Sequence, residues 1–168
     1  MDMTKDIPGE ELARSARDLA EMLGNGVTTV RDLKGVSDGE MDAVYALAHD
    51  FYQTGRYDDA ETLFRFLVLF DHLNPKYHLA LGAVLQVKKD FDSAIKCYSL
   101  VCGLLDIKNV KASFYSAECY LAKGDRESAL SALMHVDTYA DVKTEEGREF
   151  KAKAAKLRKL VEGAAAVE

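Results

Sequence analysis

The chain has 168 residues, a formal net charge of −6, 48% hydrophobic and 30% charged residues, the composition of one folded unit or a short repeat array and not of a disordered segment. The acidic balance argues against general nucleic-acid binding, which depends on neutralising phosphates. No run approaches the roughly 18 apolar residues of a membrane span, and MDMTKDIPGEELARSARD lacks the basic-then-apolar order of a secretory signal, so the cytoplasm is the expected compartment.

Residues 9–24 are predicted to form a helix. Leu12, Ala16, Leu19 and Leu23 recur at helical spacing and share one face. Pro8 and the Glu10–Glu11 pair suit its start, and Gly24, Asn25 and Gly26 its end. The apolar stripe needs a cover, either the chain's own later helices or a second copy of the chain. Residues 25–40 read as a connector, and Ser37 with Glu40 has the spacing of a capping box at the next helix start. Residues 1–40 are therefore taken as an N-terminal segment that can serve dimerisation.

The centre of the chain repeats itself. The stretches 51-FYQTGRYDDAETLF-64, 85-LQVKKDFDSAIKCY-98 and 120-YLAKGDRESALSAL-133 each read as a helix end, a turn and a second helix start. Ala60, Ala94 and Ala129 match, 34 and then 35 residues apart. This period predicts an all-α fold of three tetratricopeptide repeats over 41–143, with breaks near 74 and 109. Ala48, Gly82 and Ala117 are the small residues of the three first helices and let each face its partner closely. Gly55 and Gly124 suit the turns, where repeat 2 carries Lys89 instead, and Asn74-Pro75 suits the start of repeat 2. Residues 144–162 give one more helix, with Phe150, Ala154, Leu157 and Val161 on one face and Lys151, Lys153, Lys156, Arg158 and Lys159 largely elsewhere. Terminal repeats need a cap. Residues 144–168 are thus expected to be a capping helix and tail, its basic side being either a solvated surface or a patch for a membrane or an acidic partner.

Little in the sequence points to chemistry. His49, His72, His78 and His135 form no metal-ligand spacing, and there is no phosphate-cradling glycine motif or nucleophile elbow. Cys97, Cys102 and Cys119 have no paired spacing and sit in apolar helical context, as small hydrophobes. Neither an enzyme nor a bound cofactor or metal is expected.

Stacked repeats line their first helices along a concave face that takes extended segments. In this register the inner positions are Asp42, Tyr45, His49 and Tyr52 in repeat 1, Lys76, Leu79, Ala83 and Gln86 in repeat 2, and Lys111, Phe114, Glu118 and Leu121 in repeat 3. A basic, Asn-rich clamp for acidic C-termini is not expected, since Tyr45, His49, Ala80, Lys111 and Tyr115 occupy its places. The candidate peptide groove is apolar and aromatic: Tyr45, His49, Tyr52, Leu79, Ala83, Gln86, Phe114, Glu118 and Leu121. Tyr45 and Tyr52 either take a peptide or pack against the N-terminal segment.

The stretches 44-VYALAHDFYQTGRYDDAETLFRFL-67, 70-FDHLNPKYHLALGAVLQVKKDFDSAIKCYS-99 and 113-SFYSAECYLAKGD-125 exceed what a generic repeat requires. In them the chain resembles the class II chaperones of bacterial type III secretion systems, over about two-thirds of its length. The resemblance implies a bacterial cytoplasmic chaperone that keeps hydrophobic translocator proteins soluble and fit for secretion. It implies a P-x-L-x-x-P-type translocator segment in the groove, touched by Tyr45, His49 and Tyr52. It also implies a homodimer formed through the N-terminal stripe, which assigns Leu12, Ala16, Leu19 and Leu23 to dimerisation. Some members of that family co-activate an AraC-type regulator, and the repeats by themselves also suit an adaptor that joins soluble partners.

Overall fold

The computed structural model describes residues 28–165 together with Glu21. The stripe of Leu12, Ala16, Leu19 and Leu23 lies outside the described residues. Within them the chain forms eight α-helices and no strand. These are α1 (Val30–Lys34), α2 (Asp38–Gln53), α3 (Tyr57–Phe70), α4 (Pro75–Val87), α5 (Phe91–Leu100), α6 (Val110–Ala122), α7 (Arg126–Tyr139) and α8 (Glu145–Ala165).

Local chemistry sets the helix boundaries. At the start of α2 the Ser37 hydroxyl accepts from the Glu40 N–H at 3.3 Å, and the Glu40 carboxylate accepts from the Ser37 N–H at 2.9 Å. Both satisfy amides that a helix start leaves free. Asn74 caps α4, with Pro75 in its first turn, and the side chains of Asp90, Asn109 and Asp125 cap α5, α6 and α7. Part of the expected connector is itself helical: Thr29 and Asp32 make a second capping box, and Gly35, at φ +65°, ends α1 after barely more than a turn.

The helices pair as α2 with α3, α4 with α5 and α6 with α7, the hairpins that the 34-residue period predicts. Ala48, Ala60, Ala94, Ala117 and Ala129 are all 0% exposed, so the helix axes approach where side chains are smallest. At Gly82 the approach is closer still, and the Tyr98 ring fills the space a Cβ would take. The turns between paired helices adopt left-handed backbone at Gly55, Lys89 and Gly124, with φ of 79°, 64° and 80°. Lys89 thus takes the conformation of the glycine it replaces. Helix α5 continues into a π-helical turn over Val101–Leu105, which the period did not foretell.

Two buried clusters result. One joins the first two hairpins around Met41, Phe64, Leu67, Leu81, Leu85 and Tyr98. The other joins the third hairpin to α8 around Phe114, Leu133, Val136, Phe150 and Ala154. Tyr115 packs against both. The stripe of α8 is buried at Phe150, Ala154 and Val161 and half-buried at Leu157, so this helix covers the apolar face of the third hairpin.

Ion pairs recur at equivalent places between successive hairpins. Lys88 reaches back to Asp58 at 2.5 Å and Glu61 at 2.6 Å, and Lys123 reaches back to Asp92. Solvent-screened pairs of this kind contribute little each, so they tune the junctions and the buried clusters hold them.

The candidate peptide groove

Tyr45, His49 and Tyr52 are four and three residues apart, which stacks them along one face of α2. That face meets α4 and α6 across a groove of about 590 Å³. Its walls are Tyr45, His49 and Tyr52 from α2, Lys76, Leu79, Ala80 and Ala83 from α4, and Lys111 and Tyr115 from α6, with Phe64 also contributing. Of the nine residues expected in the groove, five are brought together there: Tyr45, His49, Tyr52, Leu79 and Ala83.

The other four lie elsewhere, each for a visible reason. Gln86 is held between two neighbours: its amide donates to Glu118 at 3.0 Å, and its carbonyl accepts from the Tyr98 hydroxyl at 2.9 Å. Gln86 and Glu118 therefore tie the second hairpin to the third. Phe114 is only 6% exposed, its ring edge-on to Phe150 of α8 with centroids 5.5 Å apart. Leu121 lines a separate hollow with Leu157, Leu160 and Val161. The third hairpin's inner positions are largely covered by α8, and Tyr115, one residue beyond Phe114, lines the groove instead.

The aromatic wall is held from behind. The Tyr45 ring lies 5.6 Å from Phe64 and 6.0 Å from Tyr77, centroid to centroid, and Tyr52 meets Tyr57 at 5.8 Å. Burial pushes the phenols of Tyr45 and Tyr52 above their ordinary range, so both stay neutral hydroxyls. The cations at the rim are engaged. Lys76 Nζ sits 3.8 Å above the Tyr45 ring and 3.7 Å from Asp42, and Lys111 pairs with Glu146 at 3.2 Å. An apolar, aromatic trough with few polar groups and, among the described residues, no uncommitted cation cluster suits the side chains of an extended peptide better than a terminal carboxylate.

The remaining polar and nucleophilic groups serve packing. His78 is buried with Nε2 2.8 Å from the His72 carbonyl, and His135 Nδ1 lies 2.7 Å from the Ser113 hydroxyl. Burial pushes the Cys97 thiol up to about 11 and the Cys119 thiol up to about 12, so neither is poised as a thiolate. Phe64, Pro75 and Asn109 line the groove without having been expected there. Pro75 and Asn109 stand at the starts of α4 and α6, where the cap pattern marks a boundary but not the side that it faces.

Comparison with known proteins gives this geometry a context. A tetratricopeptide-repeat profile matches residues 41–74, the first hairpin and its exit. The chain is 36% identical over 120 residues to low calcium response locus protein H of Yersinia pestis, an alignment that covers 71% of each chain. The structure superposes with a TM-score of 0.72 and 30% identity on the Yersinia enterocolitica type III secretion chaperone SycD solved with a peptide of the translocator YopD, covering 77% of this chain and 98% of that one.

This chain belongs to the class II translocator chaperones of type III secretion.

Another relative in this family, the chaperone protein SicA of Salmonella dublin, is 40% identical over 106 residues, 61% of this chain and 64% of SicA. The alignment thus falls just short of two-thirds of that relative's length. SycD has also been solved as an alternative dimer. Among the described residues, no helix is long and apolar enough to cross a membrane.

Proposed function

We propose that this class II chaperone holds a hydrophobic translocator of a bacterial type III secretion system by an extended segment of P-x-L-x-x-P type laid along the α2–α4–α6 groove. The observation that carries the reading is the aromatic trough of Tyr45, His49 and Tyr52 facing Leu79 and Ala83, in a fold whose relative SycD was solved with a translocator peptide. Apolar side chains of the segment enter the trough. The prolines keep the segment extended before it binds, which lowers the entropy lost on ordering. What ordering cost remains holds the affinity at a moderate level, which suits a client that must later be released. Covering part of the translocator in the cytoplasm keeps its membrane-seeking segments from aggregating.

The chaperone acts as a homodimer, with Leu12, Ala16, Leu19 and Leu23 as the contact stripe. The helical spacing of these residues and the dimeric state of SycD support that assignment.

Calorimetry with a synthetic P-x-L-x-x-P peptide from a translocator encoded beside the chaperone tests the groove. Wild type is expected to bind at one saturable site. Tyr45→Ala with Tyr52→Ala, and separately Ala83→Glu, are expected to abolish binding while the far-ultraviolet spectrum stays helical. Ala83→Glu is the cleaner probe, because it fills the trough without removing a ring that packs on Phe64. Unchanged binding by Ala83→Glu would place the site elsewhere, and absence of binding by wild type would end the peptide-groove reading.

A further inference from the structure

Tyr115 does not close the groove; it is a wall shared with a second recess of about 340 Å³ between α6 and α8. The floor of this recess is Phe114, Leu157 and Leu160, and Leu160 is 71% exposed at its rim. Its charges are set apart. Lys153 is committed to Glu149 at 2.6 Å, whereas Lys156 has no carboxylate partner among the described residues. The Glu118 carboxylate takes one hydrogen bond, from the Gln86 amide, and keeps further acceptor capacity. The Lys111–Glu146 pair bridges the two helices on the groove side of Tyr115, and Lys111 lines the groove.

We infer that the recess is a second subsite for the same bound segment, taking an apolar side chain next to an acidic one beyond the part held in the groove. The inference rests on the groove's being the translocator site. The apolar side chain covers Leu157 and Leu160, an adjacent backbone N–H donates to Glu118, and the acidic side chain pairs with Lys156. Continuity past Tyr115 is what favours an extension of one client over a separate partner. An extended chain advances about 3.3 Å per residue, so a few residues span the side chain of Tyr115. The subsite gives α8 a part in choosing clients besides covering the third hairpin.

The test compares five synthetic peptides by calorimetry: the P-x-L-x-x-P core, the core with a six-residue Leu-Glu-containing extension at its N-terminal or at its C-terminal end, and those two extended peptides with Leu→Ser and Glu→Lys. Wild type is expected to bind the Leu-Glu extension at one end about fivefold or more tightly than the core. That gain is expected to vanish in Leu160→Ser and in Lys156→Glu, both exposed positions, while core binding stays unchanged. No gain at either end, or a gain that survives both substitutions, would overturn the subsite and leave the groove intact. If the core itself fails to bind, the groove reading falls. The subsite, an extension of the segment held in the groove, falls with it.

Discussion

Gly82 lies so close to the ring of Tyr98 that a Cβ at this position would stand 2.6 Å from Cε1. The ring cannot simply swing away, because its hydroxyl is held by Gln86, which in turn holds Glu118 of the next hairpin. Gly82→Ala is therefore expected to destabilise the chain by about 1–3 kcal/mol, the usual cost of overpacking a closed core. Urea unfolding followed by circular dichroism measures it. An unchanged midpoint would mean that α4 and α5 separate without penalty.

Lys89 holds a left-handed backbone where the other two turns have glycine. That conformation costs a side-chain-bearing residue about 1–2 kcal/mol, and glycine's greater freedom in the unfolded chain returns about 0.4–1 kcal/mol of the gain. Lys89→Gly should then stabilise the fold by roughly 0.5 kcal/mol, visible as a small rise in the urea midpoint. A fall would show that the Lys89 side chain contributes something its backbone conceals.

Stability should decline on mild acidification. His78 and His135 have their proton affinity lowered, chiefly by burial, from an ordinary value of 6.5. For His78, the His72 carbonyl and Asp71 partly offset this. The folded chain therefore binds these protons less readily than the unfolded chain. Stability is complete above about pH 6.5 and is lost as the pH falls below it, towards the lower folded-state values. Comparing urea midpoints at about pH 7.5 and 5.5 should show a drop in wild type and a smaller one in His78→Gln with His135→Gln. An equal drop in both would assign the effect to other groups.

The buried thiol of Cys119 should resist alkylation in the native chain, because it is both covered and held protonated. Cys102, at the π-helical turn, is half-buried and should label ahead of it. Mass spectrometry after a short iodoacetamide pulse, with and without denaturant, reads the order. Early label on Cys119 would mean that α6 opens far more often than its packing implies.

Phe150→Ala removes the ring that covers Phe114 and Tyr115. A loss of about 3–5 kcal/mol is typical for such a truncation. In a stacked array each unit touches only its neighbours, so the damage should be local. Hydrogen exchange should quicken in α6, α7 and α8 while α2 to α4 keep their protection. Uniform quickening would show that the array unfolds as a single block.

Much of this architecture is legible because repetition turns weak signals into a register. Ala60, Ala94 and Ala129 mark three copies of one tight contact, and the Phe150, Ala154, Leu157 and Val161 stripe marks the cover. The Thr29–Asp32 capping box could have been read in the same way as Ser37–Glu40, but the helix it starts is too short to have a period. Helical spacing could not reveal the π-helical turn at Val101–Leu105, since it is a local departure from that spacing. For the groove, the expected residues of the first two hairpins line the trough except Gln86, and none of the three from the third hairpin does. Phe114 follows the same pattern as Tyr45 and Leu79, but Phe150 comes from a later helix, and a repeat pattern carries no information about what lies across it.

Lys88 answers Asp58 from the same place in its hairpin as Lys123 answers Asp92 in the next. The joints are thus interchangeable parts. A chain with residues 75–109 copied in tandem would present each new joint with a lysine and aspartate already in register, and small residues where the helices must touch. Such an insertion would lengthen the trough by a fixed step without redesigning either end, turning a chaperone of one reach into a graded set of rulers for longer client segments.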